Sequence, residues 1–219
     1  MKKGLILFWI FLFHLSAFSQ THFSLKNDLL KLKNTTTVLY LAAHPDDENN
    51  LLISYLAKGK HYRTIYFSLT RGDGGQNLIG SEQGPELGML RTQELLKARS
   101  VDGGEQYFSH AYDFGFSKSA QETFEHWDQG SLIKDLILAI RVVQPDVIIC
   151  RFPSDKRAGH GHHIVSAMLG KIAYMLAGDA NYKIYSYPEL NLFKSNELVS
   201  LKPWQTPALL WNVFDKNDS

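Results

Sequence analysis

The segment AHPDDE, residues 43–48, combines side chains that bind divalent metals with a carboxylate that is left over. His44 and Asp47 are three residues apart, so in a tight turn an imidazole nitrogen and a carboxylate oxygen can converge on one cation. Asp46 points elsewhere from the same turn and is available as a proton acceptor beside whatever the cation binds. The alternative is a helix start without chemistry, with Pro45 in the first turn and the acids near the positive end of the helix dipole.

A second group of potential ligands lies in the segment GHGHH, residues 159–163. Three of the nine histidines of the chain occur within it, at His160, His162 and His163. One histidine from this segment would complete a set of three protein ligands, and catalytic zinc sites leave the fourth position open. Nitrogen and oxygen donors without sulfur favour Zn²⁺, with Fe²⁺, Ni²⁺ and Co²⁺ as alternatives.

The elements that must position these segments alternate along the chain. Five short apolar runs predict strands, at residues 37–43, 64–70, 106–112, 146–152 and 208–214. Four longer runs with helical periodicity predict helices, at residues 50–58, 85–100, 131–143 and 164–177. This alternation predicts an α/β fold with a mainly parallel sheet and right-handed crossovers.

Ligands of such sheets bind beyond the carboxyl ends of the strands. Nearly all of the unusual polar side chains follow a predicted strand, in residues 44–48, 71–77, 113–116 and 153–163. We therefore expect the AHPDDE and GHGHH segments to meet at one edge of the sheet, with residues 113–116 as further candidates for the pocket wall.

The composition limits the classes of function. The 219 residues hold 23 lysines and arginines against 22 aspartates and glutamates, so we expect no basic surface for nucleic acid. The single cysteine, Cys150, permits neither an internal disulfide nor a thiolate metal cluster. Length and hydrophobic content are those of one folded domain.

The N-terminus has the residue order of a secretory signal peptide. Two lysines precede an apolar run over residues 4–13, and small residues then offer a cleavage site before Gln20. We expect removal of residues 1–19, export to the periplasm or cell surface, and no stable membrane span after cleavage; an uncleaved anchor is the alternative. Residues 20–219 are then expected to form a single domain, with truncation of a longer protein at its C-terminus as an open alternative.

Together these motifs resemble the PIG-L/LmbE-like zinc-dependent de-N-acetylases. The resemblance rests on AHPDDE after a buried strand, on TRGDGG at residues 70–75 after the next, on Arg91 with Glu94 in a following helix, and on the late histidine segment. It implies a Rossmann-like three-layer sandwich. It also implies a hydrolase that removes an acetyl group from an N-acetylglucosamine-type amide by metal-activated water, with a small N-acetylated sugar or glycoconjugate as its partner.

The resemblance also implies roles for individual residues. It implies three metal ligands, which are His44, Asp47 and His163. Asp46 corresponds to the general base, and His160 to the histidine that stabilises the oxyanion and protonates the leaving amine. The family usually has an aspartate where this chain has His162, so the division of work between His160 and His162 stays open.

Substrate contacts are expected from polar side chains around these motifs, at Arg71, Asp73, Gln76, Asn77, Arg91 and His162. We expect Trp127 to pack in the core. Two other functions remain open from the sequence. One is an amidase acting on another acyl-amide conjugate, and the other is a catalytically weakened sugar-binding module, which the departure at His162 would permit.

Overall fold

The computed structural model describes residues 29–186 and 199–213. These residues form seven strands: β1 (Thr37–Ala42), β2 (Arg63–Ser68), β3 (Glu105–Phe108), β4 (Val147–Cys150), β5 (Tyr185–Ser186), β6 (Val199–Ser200) and β7 (Ala208–Trp211). Five of them form an all-parallel sheet in the order β3-β2-β1-β4-β7, and β5 pairs with β6 antiparallel. The expected signal peptide, residues 1–19, lies outside the described residues.

The helices lie between the strands, as the sequence predicts. They are α1 (Asn50–Ser54), α2 (Pro85–Asp102), α3 (Ala120–His126), α4 (Gln129–Val143) and α5 (Gly161–Ala177). A π-helical turn over Tyr55–Gly59 extends α1, a 3₁₀ turn covers Lys156–Ala158, and residues 29–32 are also helical. In the described ranges, no helix has both the length and the apolar character needed to cross a membrane.

Strand β1 lies at the centre of the sheet and is buried on both faces. Leu39 and Leu41 belong to a hydrophobic cluster that includes side chains of α4 and α5. Val38 and Tyr40 belong to a second cluster, with side chains of α1 and α2. Because successive side chains of a strand point to opposite faces, the two clusters lie on opposite sides of the sheet. The α/β fold with a parallel sheet predicted from the sequence and the three-layer sandwich implied by the resemblance are both confirmed.

Helix α5 lies unusually close to the sheet. A Cβ atom at Gly170 would be 2.6 Å from Leu41 Cδ2 and 3.1 Å from Cys150 Sγ, so only glycine fits this crossing without a shift. At the far end of the helix, the buried guanidinium of Arg141 from α4 donates to the carbonyl oxygens of Ala177 and Leu176. Both contacts fix the helix that carries two of the three clustered histidines.

The start of α5 and the buried side of α1 differ from the sequence-based prediction, and α3 was not predicted. Helix α5 begins at Gly161 rather than at residue 164, so that the clustered histidines lie at its start instead of in a preceding loop. The helical pattern of residues 50–58 predicts an apolar side with Leu51, Leu52, Tyr55 and Leu56. Leu52 and Leu56 pack against the second cluster as predicted, but the prediction is wrong for Leu51 and Tyr55, which are exposed. Ile53 and Ala57 are buried, although the pattern did not select them.

Candidate metal centre

The AHPDDE segment forms a tight turn directly after β1, at the carboxyl edge of the sheet. The backbone N–H groups of Ala43 and His44 donate to Asp47 Oδ2 at 3.1 and 2.7 Å. The hydroxyl of Tyr66 donates to the carbonyl of His44, and the Arg151 guanidinium donates to the carbonyl of Asp47 at 2.8 Å. The turn is thus held from both sides, and it brings His44 Nδ1 to 3.1 Å from Asp47 Oδ2.

The alternative interpretation of this segment as a helix start is wrong. Helix α1 begins at Asn50, and its N-cap is Asn49, whose side chain accepts a hydrogen bond from the N–H of Leu52 at 3.0 Å. The carboxylates of Asp46 and Asp47 therefore precede the helix and do not cap it. Asp47 instead closes the turn in front of it.

His163, in the first turn of α5, contacts both His44 and Asp47. Its Nδ1 donates to the carbonyl of Ala158 at 3.1 Å, which leaves the lone pair on Nε2. Its ring is stacked on Phe152, with centroids 3.7 Å apart and planes inclined by 6°. His163 Nε2 is thereby aimed at Asp47 Oδ1 and at His44 Nδ1, each at 3.2 Å.

The atoms of these three side chains are spaced as metal ligands are. The separations between His44 Nδ1, the Asp47 carboxylate and His163 Nε2 are 3.1–3.2 Å. Donors at about 2.0–2.1 Å from a tetrahedral zinc ion are ~3.3 Å apart. Because the proton of His163 is on Nδ1, its Nε2 is free to bind a cation, and the Ala158 carbonyl fixes the orientation of the ring. The residues present therefore fit a divalent cation such as Zn²⁺.

The electrostatics of this group favour an ionised carboxylate. Burial acts to raise the pKa of Asp47, but the contacts of its carboxylate with the imidazoles of His163 and His44 outweigh burial and hold the pKa well below its usual value. Burial acts to lower the pKa of His44, but the hydrogen bond to Asp47 and its charge outweigh it and raise the pKa. Asp47 is thus ready to bind a cation at neutral pH without first losing a proton.

His160 is the N-cap of α5. Its Nδ1 accepts a hydrogen bond from the backbone N–H of His162 at 3.0 Å, so the proton of the neutral ring is on Nε2. Burial and the neighbouring rings of His44 and His163 lower the pKa of His160 to about 4. At pH 7 the ring is therefore a neutral hydrogen-bond donor, packed edge-on against Phe116 at a centroid distance of 4.9 Å.

His162 points away from the open side of the site and is fully buried. Its ring is stacked against Trp127, and its Nδ1 is 2.9 Å from His44 Nε2. Burial and the charges of His44 and His160 lower its pKa to about 2. These three histidines form a second group of potential ligands, whose nitrogens lie within 4.8 Å of one another. The burial of His162 gives no support to the substrate contact expected for it.

Asp46 lies on the open side of the centre. Its side chain is 72% exposed, and its Oδ2 is 3.2 Å from Arg91 Nη2. Arg91 belongs to α2 and also donates to the carbonyl of Gly72 at 3.4 Å. Of the two adjacent aspartates, Asp47 is thus used by the turn and the ligand group, whereas Asp46 faces the side from which a substrate would approach.

Arg71 and Asp73, in the loop after β2, line a groove of about 870 Å³ near the carboxyl end of β3. Arg71 packs over the ring of Phe108 and donates to Thr92 Oγ1 at 3.1 Å. Asp73 Oδ1 accepts a hydrogen bond from the N–H of Asp113 at 3.1 Å. Both residues therefore line this groove, where the sequence predicts substrate contacts, but none of the three candidate metal ligands is among the residues that line it.

The other two loop candidates are placed differently. Gln76 is exposed. The side chain of Asn77 is used within its own loop, where it accepts from the N–H groups of Ile79 and Gly80 and donates to Glu82. The structure thus gives Asn77 a role in loop geometry and does not bring it to the metal-ligand group.

Sequence reasoning missed the aromatic side chains that pack on the histidines. Phe114 packs edge-on against His162 at 4.4 Å between centroids. It belongs to residues 113–116, which the position after a strand had marked. Trp127 is buried as expected, but its stacking on His162 had no local signal, because α3 was not predicted.

Gly161 allows the start of α5 to lie against the start of α3. A Cβ atom there would be 2.5 Å from Thr123 Oγ1 and closer still to Ser117 Oγ and to the Ser119 carbonyl oxygen. We expect Gly161→Ala to lower the free energy of unfolding by about 1–3 kcal/mol, measured by urea denaturation. Gly130→Ala near the start of α4 is the matched control, since its nearest atom is 3.8 Å away. Equal stability of the two variants would contradict the close packing.

Comparison with known proteins gives one family match. The family described as PIG-L, GlcNAc-PI de-N-acetylase, matches residues 39–174. A 1D-myo-inositol 2-acetamido-2-deoxy-alpha-D-glucopyranoside deacetylase of Mycobacterium leprae is 25% identical over 204 residues, which cover 84% of this chain and 61% of the relative. The chain thus spans about three fifths of the length of this curated relative.

Solved structures share the fold at low identity. An N,N'-diacetylchitobiose deacetylase from Pyrococcus horikoshii gives a TM-score of 0.55 at 22% identity, covering 80% of this chain and 59% of that chain. A conserved protein from Thermus thermophilus gives a TM-score of 0.53 at 20% identity, and the match covers 81% of this chain and 66% of that chain. GalB, a 4-carboxy-2-hydroxymuconate hydratase from Pseudomonas putida, gives a TM-score of 0.52 at 17% identity, and the match covers 74% of this chain and 71% of that chain. Since this last protein is a hydratase, the fold alone does not decide the reaction.

Proposed function

The chain belongs to the PIG-L family of GlcNAc-PI de-N-acetylase domains, and from this premise we propose that it is a divalent-metal-dependent hydrolase that removes the acetyl group from an N-acetylglucosamine-type amide. The observation that carries the proposal is the 3.1–3.2 Å spacing of His44 Nδ1, the Asp47 carboxylate and His163 Nε2. We propose these three residues as the metal ligands and Zn²⁺ as the metal. When bound, such an ion polarises a carbonyl oxygen and makes water a better nucleophile near neutral pH.

Asp46 is the general base in this proposal. Its carboxylate is next to the ligand Asp47 in the chain, is exposed, and is oriented by the ion pair with Arg91. A carboxylate in that position can accept the proton of the water that attacks the amide carbon. The ion pair keeps the carboxylate at the mouth of the site and does not bury it, so it remains accessible to that water.

His160 is the hydrogen-bond donor of the proposed reaction. Because its Nδ1 is occupied by the N–H of His162, its proton is on Nε2. A neutral N–H directed at the carbonyl oxygen would stabilise the negative charge that develops there, an effect worth roughly 3–4 kcal/mol per donor in other hydrolases. The proton that Asp46 takes from the attacking water can then pass to the departing amine, so the ring of His160 stays neutral throughout.

The substrate class rests on family membership and on the groove that Arg71 and Asp73 line. The curated relative is a deacetylase of a glucosaminyl-inositol conjugate, and the P. horikoshii protein a deacetylase of diacetylchitobiose. The groove near β3 carries polar groups at Arg71 and Asp73, together with apolar side chains such as Met89 and Tyr112. Such a lining is suited to a sugar that carries a further group.

Acetate release tests the proposed function. The zinc-loaded protein is incubated with an N-acetylglucosamine–inositol conjugate, with N,N'-diacetylchitobiose, with free N-acetylglucosamine and with an N-acetylated amino acid. We expect acetate from at least one of the three sugars and none with the Asp46→Asn variant. Release from the amino acid alone would favour an amidase of another class, and sugar binding without release would contradict a hydrolase.

We also propose that the protein is exported after cleavage of residues 1–19. The support is the order of two lysines, an apolar run and small residues before Gln20. Mass spectrometry of the protein recovered from the periplasmic fraction of a bacterial host should give a chain that begins at Gln20. A chain that retains Met1 and sediments with the membranes would show an uncleaved anchor instead.

A further inference from the structure

His162 is the one histidine of the cluster that the proposed reaction leaves unused. It is 0% exposed and lies between Trp127 and Phe114, each at a centroid distance of 4.4 Å. The plane of the Trp127 ring is inclined by 24° to that of His162, and Phe114 lies edge-on at 78°. A ring packed in this way is held in one orientation and has no open side toward a substrate.

Within the described residues, the side chain of His162 has a single hydrogen-bond partner. Its Nδ1 is 2.9 Å from Nε2 of His44, and its Nε2 is buried with no partner. The nearest carboxylate oxygen, Asp113 Oδ1, is 3.9 Å from Nδ1, beyond hydrogen-bond distance. The contact with His44 is therefore the main polar interaction that this buried ring makes.

The direction of this hydrogen bond follows from the other nitrogen of His44. If His44 Nδ1 binds a cation, it carries no proton, and the proton of the neutral ring is on Nε2. His44 Nε2 then donates, and His162 Nδ1 accepts. The proton of His162 is consequently on Nε2, the nitrogen that faces the aromatic packing. Most metal-binding histidines are oriented in this way: the ring nitrogen that does not bind the metal donates a hydrogen bond, and the usual acceptor is a carboxylate or carbonyl oxygen.

We propose that His162 is a positioning residue, a buried imidazole that accepts the Nε2 proton of His44 and so directs the Nδ1 lone pair of His44 at the metal. The proposal rests on the proposed metal site. It assigns His162 neither to the ligands nor to the proton transfer. The second group of nitrogens, those of His44, His160 and His162, is then a hydrogen-bonded support of the centre rather than a second cation site.

Zinc affinity of two matched variants tests this role. His162→Phe keeps an aromatic ring against Trp127 but removes the acceptor, whereas His162→Asn loses the ring but offers an amide oxygen close to the position of Nδ1. By chelator competition, we expect His162→Phe to bind one Zn²⁺ about 10–100-fold more weakly than the wild type. We expect His162→Asn to bind Zn²⁺ more tightly than His162→Phe does.

The outcomes separate this proposal from the proposed function. Wild-type affinity in His162→Phe, or tighter binding by His162→Phe than by His162→Asn, would overturn the positioning role while leaving the metal site intact. Failure of the wild type itself to bind Zn²⁺ would overturn the metal site. Loss of one of two bound ions in His162→Phe would make His162 a ligand and would overturn the proposal as well.

Nuclear magnetic resonance of the wild-type protein tests the hydrogen bond without any variant. In zinc-loaded protein labelled with ¹⁵N-histidine, we expect a protonated Nε2 on His44, an unprotonated Nδ1 on His162, and a scalar coupling between these two nitrogens across the hydrogen bond. A protonated Nδ1 on His162 would reverse the direction of the bond and would overturn the proposal.

Discussion

Asp47→Ala is expected to lose stoichiometric zinc and, with it, amide hydrolysis. The free energy of zinc binding to structural sites with four ligands is about 10–16 kcal/mol, so one ligand accounts for roughly 3 kcal/mol of it. Loss of one ligand should therefore weaken zinc binding about 100-fold in Kd. The substitution also removes the acceptor of two backbone N–H groups, those of Ala43 and His44. Leaving them unpaired in a buried turn adds a cost of about 1–3 kcal/mol to folding. Metal analysis after dialysis, together with urea denaturation, measures both effects.

The matched control for this variant is Asp47→Asn. Its amide oxygen can still accept from the N–H groups of Ala43 and His44, so we expect the turn and the stability to be largely retained. The negative charge that attracts the cation is lost, so zinc affinity should still fall. Full zinc content in Asp47→Ala would refute the assignment of Asp47 as a ligand.

Asp46→Asn is expected to have the opposite signature, with intact metal binding and little turnover. An amide of the same shape cannot take a proton from water, and loss of a general base lowers kcat by about 10²–10⁴-fold. Because the Asp46 side chain is 72% exposed and lies outside the ligand group, the zinc Kd should stay at its wild-type value. Steady-state acetate release and chelator competition on the same sample separate the two quantities.

A neutral control for this substitution is Glu125→Gln on α3. Its carboxylate is exposed and the change removes the same single charge. We expect wild-type kcat and wild-type zinc content from it. An Asp46→Asn variant that loses its zinc would show that Asp46 is a ligand, and one with wild-type kcat would show that another group accepts the proton.

The layers of this fold follow directly from sequence patterns. The run that forms β1 is apolar at nearly every position because both of its faces are covered, and this pattern distinguishes a central parallel strand from an edge strand. The ends of elements were less predictable. The start of α5 depends on the side-chain cap from His160 and on the close contact of Gly161 with α3, and neither has a periodic signal.

The candidate site, like the fold, was predictable only in part. That the AHPDDE and GHGHH segments lie together was predictable, because the carboxyl ends of parallel strands meet at one edge. Which of the three histidines joins His44 and Asp47 was implied only by the resemblance to the family. The proton positions were not predictable. They depend on single contacts between distant parts of the chain, such as that of His44 with His162, and these exist only once α5 packs on the sheet.

Anomalous scattering at the zinc absorption edge, recorded from crystals of the zinc-loaded protein, tests the central claim most directly. We expect one strong peak, with His44 Nδ1, His163 Nε2 and an Asp47 carboxylate oxygen at about 2.0–2.2 Å from it. A peak bounded instead by His44 Nε2, His160 and His162, or no peak near His44 at all, would contradict the proposed centre.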